Sequence, residues 1–165
     1  MATIAQQSIV VDHTISGNSP QILTFPEAAS QTFKAGELVY LNNGYVTECG
    51  DDPSVILGVA ADDAHNDSSD GTHEVGVYIP NHDTIFRANV YHSTEASAVT
   101  SKTLVGNSYG LYRDTSNSRV YVDIEDTANH RVIVLALSKL DSEGDKYGRV
   151  LFQFEQKYCQ LQTTS

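Results

Sequence analysis

The clearest order in the chain lies between residue 33 and residue 64, which reads FKAGELVYLNNGYVTECGDDPSVILGVAADDA. An alternating apolar run leads into Asn43-Gly44, and a second run comes after it. A two-residue type I′ hairpin needs positive φ at both central positions, which Asn tolerates and Gly adopts without steric cost. The pattern therefore predicts two antiparallel strands joined at Asn43-Gly44, with a further strand at residues 56–61.

The rest of the chain repeats short strand patterns separated by turns. Apolar residues alternate or cluster at residues 75–79, 85–91, 119–126, 131–140 and 150–154. Roughly nine to eleven short strands with frequent turns are typical of a β-sandwich or β-barrel. The 131–140 run is apolar almost throughout, which predicts a strand covered on both faces. We predict an all-β fold, a single small β-barrel or β-sandwich domain.

The first 32 residues differ from the rest of the chain, because their apolar residues have no firm period. They form either an extended N-terminal arm or the first strands of the same core, at about residues 8–15 and 21–25. Residues 33–165 then form the barrel or sandwich domain. An arm with exposed apolar groups can become ordered on a neighbouring subunit, which makes its apolar residues the interface candidates. These are Ile4, Ile9, Val10, Ile22 and Phe25.

The formal net charge is -11, and it is unevenly spread. The first 100 residues hold two basic residues, Lys34 and Arg87, against thirteen acidic ones. Such a surface repels a phosphate backbone, so we expect no direct nucleic-acid binding. No run approaches the ~20 apolar residues of a membrane span, and the N-terminus lacks the basic and apolar regions of a signal peptide. We therefore expect synthesis in a cytoplasm and no membrane partner.

One segment matches a catalytic motif formally. Residues 106–110 read G-N-S-Y-G, and Asp123 and His130 follow Ser108 in the chain order of a hydrolase triad. The nucleophile elbow of an α/β-hydrolase needs a strand before the serine and a helix after it. Here the motif leads into another strand and a turn, so we expect no catalytic residue and no enzymatic activity.

Residues 62–74, DDAHNDSSDGTHE, form a polar acidic loop that invites a metal interpretation. Part of the loop matches the first half of an EF-hand pattern, but the position of the bidentate Glu is occupied by Val77. We expect exposed surface here, with no metal and no cofactor, and leave weak Ca²⁺ binding as the alternative. Cys49 and Cys159 are expected to be free buried thiols, although the fold decides whether they can pair.

Several hydrophobic and turn patterns resemble those of capsid decoration proteins, the cement or auxiliary head proteins of tailed bacteriophages. The first is Phe33-x-Ala35-Gly36-x-Leu38-Val39, followed by the Asn43-Gly44 turn and by I-L-G-V-A-A-D-D at residues 56–63. Later segments look similar too: V-G-V-Y-I-P at 75–80, F-R-A-N at 86–89, and Gly106 with Y-G-L at 109–111. The likeness spans about residues 33 to 155, and such proteins commonly have a small β-barrel or tulip-like domain.

The resemblance implies a non-enzymatic structural virion protein that binds the outer surface of a phage capsid and stabilises the shell. Its partners are then the major capsid protein and other copies of itself, commonly as a homotrimer. Its location is the virion surface, after synthesis in the bacterial host cytoplasm. Two alternatives stay open at this stage. One is a phage tail, baseplate or head-fibre component, and the other is a carbohydrate-binding β-sandwich module, for which the nine tyrosines are suggestive.

Overall fold

The computed structural model describes residues 1–161, which form eleven β-strands and no α-helix. Three short 3₁₀ turns lie at Glu95–Ser97, Lys102–Leu104 and Gln156–Tyr158. The strands are β1 (Val10–Thr14), β2 (Ile22–Pro26), β3 (Leu38–Asn42), β4 (Tyr45–Glu48), β5 (Gly58–Ala60), β6 (Glu74–Tyr78), β7 (Thr84–Tyr91), β8 (Ser108–Asp114), β9 (Arg119–Asp123), β10 (Val132–Leu137) and β11 (Arg149–Phe154). The all-β prediction is confirmed.

Five of the strands close into a barrel. A six-stranded sheet has the order β1-β7-β11-β10-β8-β9, and β9 also pairs with β7 in parallel through Val90–Val122 and Tyr91–Asp123. This last pairing joins the two ends of the β7-β11-β10-β8-β9 ring. Closure removes the free edges of these five strands, and β1 is an additional strand that pairs with the first part of β7, before the residues that pair with β9.

The second sheet contains the predicted hairpin. Its order is β2-β6-β5-β3-β4. Asn42 pairs with Tyr45 across the turn, where Asn43 has φ 52° and Gly44 has φ 85°, as the type I′ hairpin requires. A bridge between Glu27 and Val46 links the residue after β2 to β4, so the sheet curls around its own apolar interior.

Two apolar clusters result from this arrangement. The first fills the barrel with side chains such as Phe86, Val122 and Phe152, and it extends onto the second sheet through Leu38 and Val59. The second lies inside the curled sheet and contains Phe33, Val39, Val46, Leu57, Ala60, Val75, Val77 and Ile79. Because the adjacent residues Leu38 and Val39 enter different clusters, β3 is buried on both faces where it begins.

Gly58 explains why the I-L-G-V-A run contains a glycine. A Cβ at this position would overlap the carbonyl oxygen of Tyr78 on β6. The close approach of two backbones therefore excludes any larger residue at Gly58.

Residues 1–32 contribute strands to both sheets. β1 pairs with β7 and β2 pairs with β6. The backbone before β1 is also fixed, since Ile4 N–H donates to the Lys146 carbonyl and Asn89 accepts from Gln7 N–H.

The prediction that residues 131–140 form a strand covered on both faces is wrong. The strand is β10, where Val132 and Val134 are buried but Leu135 is 37% exposed. A register irregularity lies between Val134 and Ala136 in the pairing with β11. Leu135 follows the buried Val134, so strand alternation places it on the outer face of the sheet, and the apolar run alone does not reveal that this face is left uncovered.

Candidate interaction surface

The five interface candidates of the N-terminal segment occupy different environments. Val10 is 38% exposed and Ile22 is 46% exposed. Ile4 and Phe25 are half-buried, and Phe25 packs against the cluster inside the second sheet. Ile9 is 2% exposed and belongs to the barrel core, so its side chain is not available on the surface of the monomer.

Two further apolar residues of the same segment are exposed, Ile15 at 66% and Leu23 at 38%. Neither was among the interface residues expected from the sequence. Leu23 is adjacent to Ile22, and successive strand residues face opposite sides, so β2 presents apolar side chains on both of its faces. A strand with apolar side chains on both faces is usually buried. When such a strand lies at the end of a sheet, its exposed apolar side chains indicate a surface that contacts a partner.

We call Val10, Ile15, Ile22 and Leu23 the apolar edge. They lie on β1, on β2 and on the connection between them. β1 and β2 are the end strands of their sheet orders, so each pairs on one side only. The connection between β6 and β7 fixes this segment, because Ile15 N–H donates to the Asp83 carbonyl and the Gln21 carbonyl accepts from Ile79 N–H. End strands with apolar side chains can accept both a partner strand and an apolar partner surface.

A second feature of the surface is a stack of tyrosines on the barrel strands. The rings of Tyr91 on β7 and Tyr112 on β8 are 3.8 Å apart at 3°, and Tyr121 on β9 lies 6.3 Å from each. Tyr121 is buried, whereas Tyr91 and Tyr112 are half-buried. Burial, together with the hydrogen bond of Tyr112, raises the pKa of Tyr91 to about 12, so the hydroxyl is neutral at physiological pH.

An ion-pair network ties the barrel to the second sheet. Arg113 on β8 donates through Nε to Glu37 at 3.2 Å and through Nη2 to Glu48 at 3.1 Å. The Glu37 side chain is 2% exposed, and its second oxygen accepts from Lys34 N–H. Burial opposes the charge on Arg113, but the two glutamates outweigh it and raise the pKa of the guanidinium. The network fixes how the two sheets are placed relative to one another.

Two carboxyl groups meet beside this network. A Cβ at Gly110 of β8 would overlap both Asp52, from the β4–β5 connection, and Asp126, from the β9–β10 connection. Asp52 accepts from Leu111 N–H, and Asp126 accepts from Ala128, Asn129 and the Asn129 side chain. Burial raises the pKa of Asp52 to about 6. Burial acts in the same direction on Asp126, but its hydrogen bonds from Asn129 outweigh it and lower that pKa to about 2.

The carboxylates of the acidic loop 62–74 bind backbone at separate places. Asp62 accepts from Gly76 N–H, Asp63 from Ala35 N–H and Asp70 from Ala29 N–H. The loop histidines are also engaged, since His65 Nδ1 lies 2.7 Å from the buried Glu27 and its ring stacks on His73 at 4.1 Å. Within residues 1–161, no three His, Cys, Asp or Glu side chains are grouped to hold a metal ion.

The structure does not assemble the formal hydrolase triad. Ser108 begins β8, and its hydroxyl donates to Glu155 at 2.7 Å. His130 is exposed, and its Nε2 lies 2.6 Å from the Thr127 carbonyl. Ser108 therefore occupies a strand with a carboxylate partner, and the strand-to-helix turn of a nucleophile elbow is replaced by strand β8.

Cys49 and Cys159 are both free and buried. Burial raises the pKa of Cys49 to about 12 and that of Cys159 to about 11. Both groups are thiols at neutral pH, and their side chains contribute to the barrel cluster.

Comparisons with known proteins give no further information about the family. No family model, no curated protein and no solved structure matches the chain. None of the helical segments among residues 1–161 is long and apolar enough to cross a membrane.

Proposed function

We propose that the protein is a structural virion protein that binds the outer surface of a phage capsid and stabilises its shell. The observation that carries the proposal is the apolar edge: four large apolar side chains, each at least 38% exposed, on the end strands β1 and β2 and on the connection between them. The resemblance of residues 33–155 to capsid decoration proteins supplies the identity of the partner, the major capsid protein.

The fold is suited to such a role for a physical reason. A closed barrel with a buried ion-pair network to the second sheet changes little on binding, so little entropy is lost when the edge docks. In the proposed homotrimer, each copy contributes its own weak contact with the capsid. Once one copy is bound, the other two bind at a high effective concentration, so the three contacts together bind more tightly than one. Because the protein is proposed to bind the assembled shell and not the separate capsid subunits, its binding stabilises the shell by mass action.

Cosedimentation with undecorated heads of the source phage tests the proposal. The full chain should pellet with the heads, saturate at a fixed ratio to the major capsid protein and raise the temperature at which the heads release DNA. A chain that stays in the supernatant at every concentration would contradict the proposal. Pelleting with isolated tails or baseplates, and not with heads, would favour the alternative of a tail, baseplate or head-fibre component.

A carbohydrate-binding function is the second candidate, and the Tyr91–Tyr112 stack favours it. Tyrosine rings bind sugar rings through their apolar faces and hydroxyl groups, and carboxylates of Asp123 and Glu125 lie close enough to influence the Tyr91 pKa. A glycan array with the wild type and Tyr112→Ala tests this function. Binding that disappears in the variant supports it, whereas an array with no bound glycan rejects it.

A further inference from the structure

A cavity of about 340 Å³ lies on the outer face of the six-stranded sheet. Its apolar wall includes Leu137, Leu140 and Leu151, and its polar wall includes Arg87 and Lys139. The strand register places Arg87 of β7 opposite Leu151 of β11, which itself lies opposite Ala136 of β10. We call this the Arg87 cavity. Its size is at the lower end of the range of small-ligand pockets, which begins at about 300 Å³.

Arg87 has hydrogen-bonding capacity that the protein does not use. Its Nη1 donates to Asp12 at 2.8 Å. Its Nε is buried and has no hydrogen-bond partner among residues 1–161. A buried donor without an acceptor is unfavourable, so among residues 1–161 the Arg87 guanidinium is held only through its Nη1 bond to Asp12.

The charges around the cavity favour an anion. Asp12 also lies 2.6 Å from His13 Nδ1, and Asp141 is engaged by Arg149 through two guanidinium nitrogens. Lys139 lines the cavity and makes no ion pair with any residue in the described part of the chain. Arg149 neutralises the charge of Asp141, and Arg87 neutralises the charge of Asp12. Within residues 1–161, the positive charge of Lys139 is therefore left without a neighbouring negative charge that neutralises it. This local excess is cationic in a protein whose net charge is -11.

We propose that the Arg87 cavity binds a single carboxylate carried on a short aliphatic body. The carboxylate binds the guanidinium of Arg87 and the ammonium of Lys139, and the aliphatic part packs on the leucines. A guanidinium edge matches the two oxygens of a carboxylate. One excess positive charge beside Asp12 suits a monoanion better than a phosphate dianion, and Leu140, which is 67% exposed, gains an apolar partner. The proposal is independent of capsid binding.

Nuclear magnetic resonance titration of the full chain with sodium hexanoate tests the proposal, with hexan-1-ol and hexylammonium chloride as matched controls at pH 7 and constant ionic strength. Hexanoate should shift the amide signals of Arg87, Leu140 and Leu151 saturably, with a Kd at least about tenfold lower than that of either control. Equal affinities for hexanoate and hexan-1-ol, or shifts confined to other parts of the chain, would overturn the proposal.

Variants locate the site. Arg87→Gln and Lys139→Gln should each weaken hexanoate binding, while Lys102→Gln, an exposed lysine outside the cavity, should bind hexanoate as the wild type does. If Arg87→Gln does not fold, Lys139→Gln carries the comparison. Unchanged binding in Lys139→Gln and in a folded Arg87→Gln would also overturn the proposal.

The same experiment distinguishes two sources of the carboxylate. Sedimentation analysis of the wild type, with and without hexanoate, reports self-association. Association that hexanoate reverses and Lys139→Gln weakens identifies an acidic side chain of a second copy. A monomer that binds hexanoate identifies a free carboxylate.

Discussion

At the scale of single residues, the Asp52–Asp126 pair shows how the fold creates chemistry that the sequence does not reveal. The two residues are 74 positions apart, and each belongs to an ordinary Asp-rich turn. Their proximity depends on Gly110, whose missing side chain leaves room for both carboxyl groups. The packing of the second sheet against the barrel brings the β4–β5 connection to β8, where it meets the β9–β10 connection.

The pair makes stability depend on pH. The folded pKa of Asp52, about 6, is above its ordinary value of 3.8, so the folded state favours the protonated form, and this contribution is lost as pH rises from 4 through 6. Asp126, with a folded pKa of about 2, has the opposite sign, and its contribution is lost as pH falls below 4. These two carboxyls therefore contribute most near pH 4.

The variant Asp52→Asn tests the predicted direction of the change of stability with pH. Between pH 4 and pH 7 the wild type should lose about 1 to 3 kcal/mol of unfolding free energy relative to Asp52→Asn, a range that allows for solvent screening of the half-buried group. Urea unfolding at a series of pH values measures the difference. Asp83→Asn, at a carboxylate that accepts hydrogen bonds from the Ser16 N–H and hydroxyl, is the control. A difference independent of pH would contradict the raised pKa of Asp52 in the folded protein.

Ile9 and Val10 are neighbours with opposite environments, and they separate core from surface at the residue scale. Ile9 is 2% exposed in the barrel cluster, whereas Val10 is 38% exposed. Ile9→Ala should lower the unfolding free energy by about 2 to 5 kcal/mol, while Val10→Ala should change it by less than about 1 kcal/mol. Urea unfolding measures both variants. Equal effects would contradict the placement of Ile9 in the core.

At the scale of elements, local signals in the sequence were sufficient for most strands. The hairpin β3–β4 was predictable because Asn43-Gly44 determines its turn geometry within a few residues. The positions of β6, β7 and β11 follow from alternation of apolar and polar residues. The pairing of β1 with β7 was not predictable, because it joins residues 10 and 87 and no local pattern encodes that partner. The parallel pairing of β7 with β9, which closes the barrel, is hidden for the same reason.

The candidate surface was only partly predictable on the same grounds. Val10 and Ile22 were identified from composition, but the same reasoning included the buried Ile9 and omitted Ile15 and Leu23. The apolar content of a segment is visible in the sequence. Which side chains point outward depends on the long-range partner of each strand.

At the scale of the whole molecule, the Arg113 network is an ion-pair link between the barrel and the second sheet. Arg113→Met leaves the buried Glu37 without its cation and should lower the unfolding free energy by about 3 to 5 kcal/mol. Restoring neutrality with Glu37→Gln in the same chain should recover part of the loss. Lys102→Met, which breaks an exposed ion pair with Glu143, should cost less than about 1 kcal/mol. Calorimetry measures all three, and equal losses for Arg113→Met and Lys102→Met would contradict a cross-sheet role.

Capsid binding by the apolar edge is the proposed function of the whole molecule. Two matched variants in the head cosedimentation assay test whether binding depends on this edge or on exposed apolar side chains anywhere on the surface. The edge variant changes Val10, Ile15, Ile22 and Leu23 to Ser, and the control changes Val55, Val105 and Leu135, which are similarly exposed elsewhere, to Ser. Circular dichroism first establishes that both fold. We expect the edge variant to bind heads at least about tenfold more weakly than the wild type and the control to bind normally. An edge variant that saturates the heads like the wild type would show that the apolar edge does not bind the capsid.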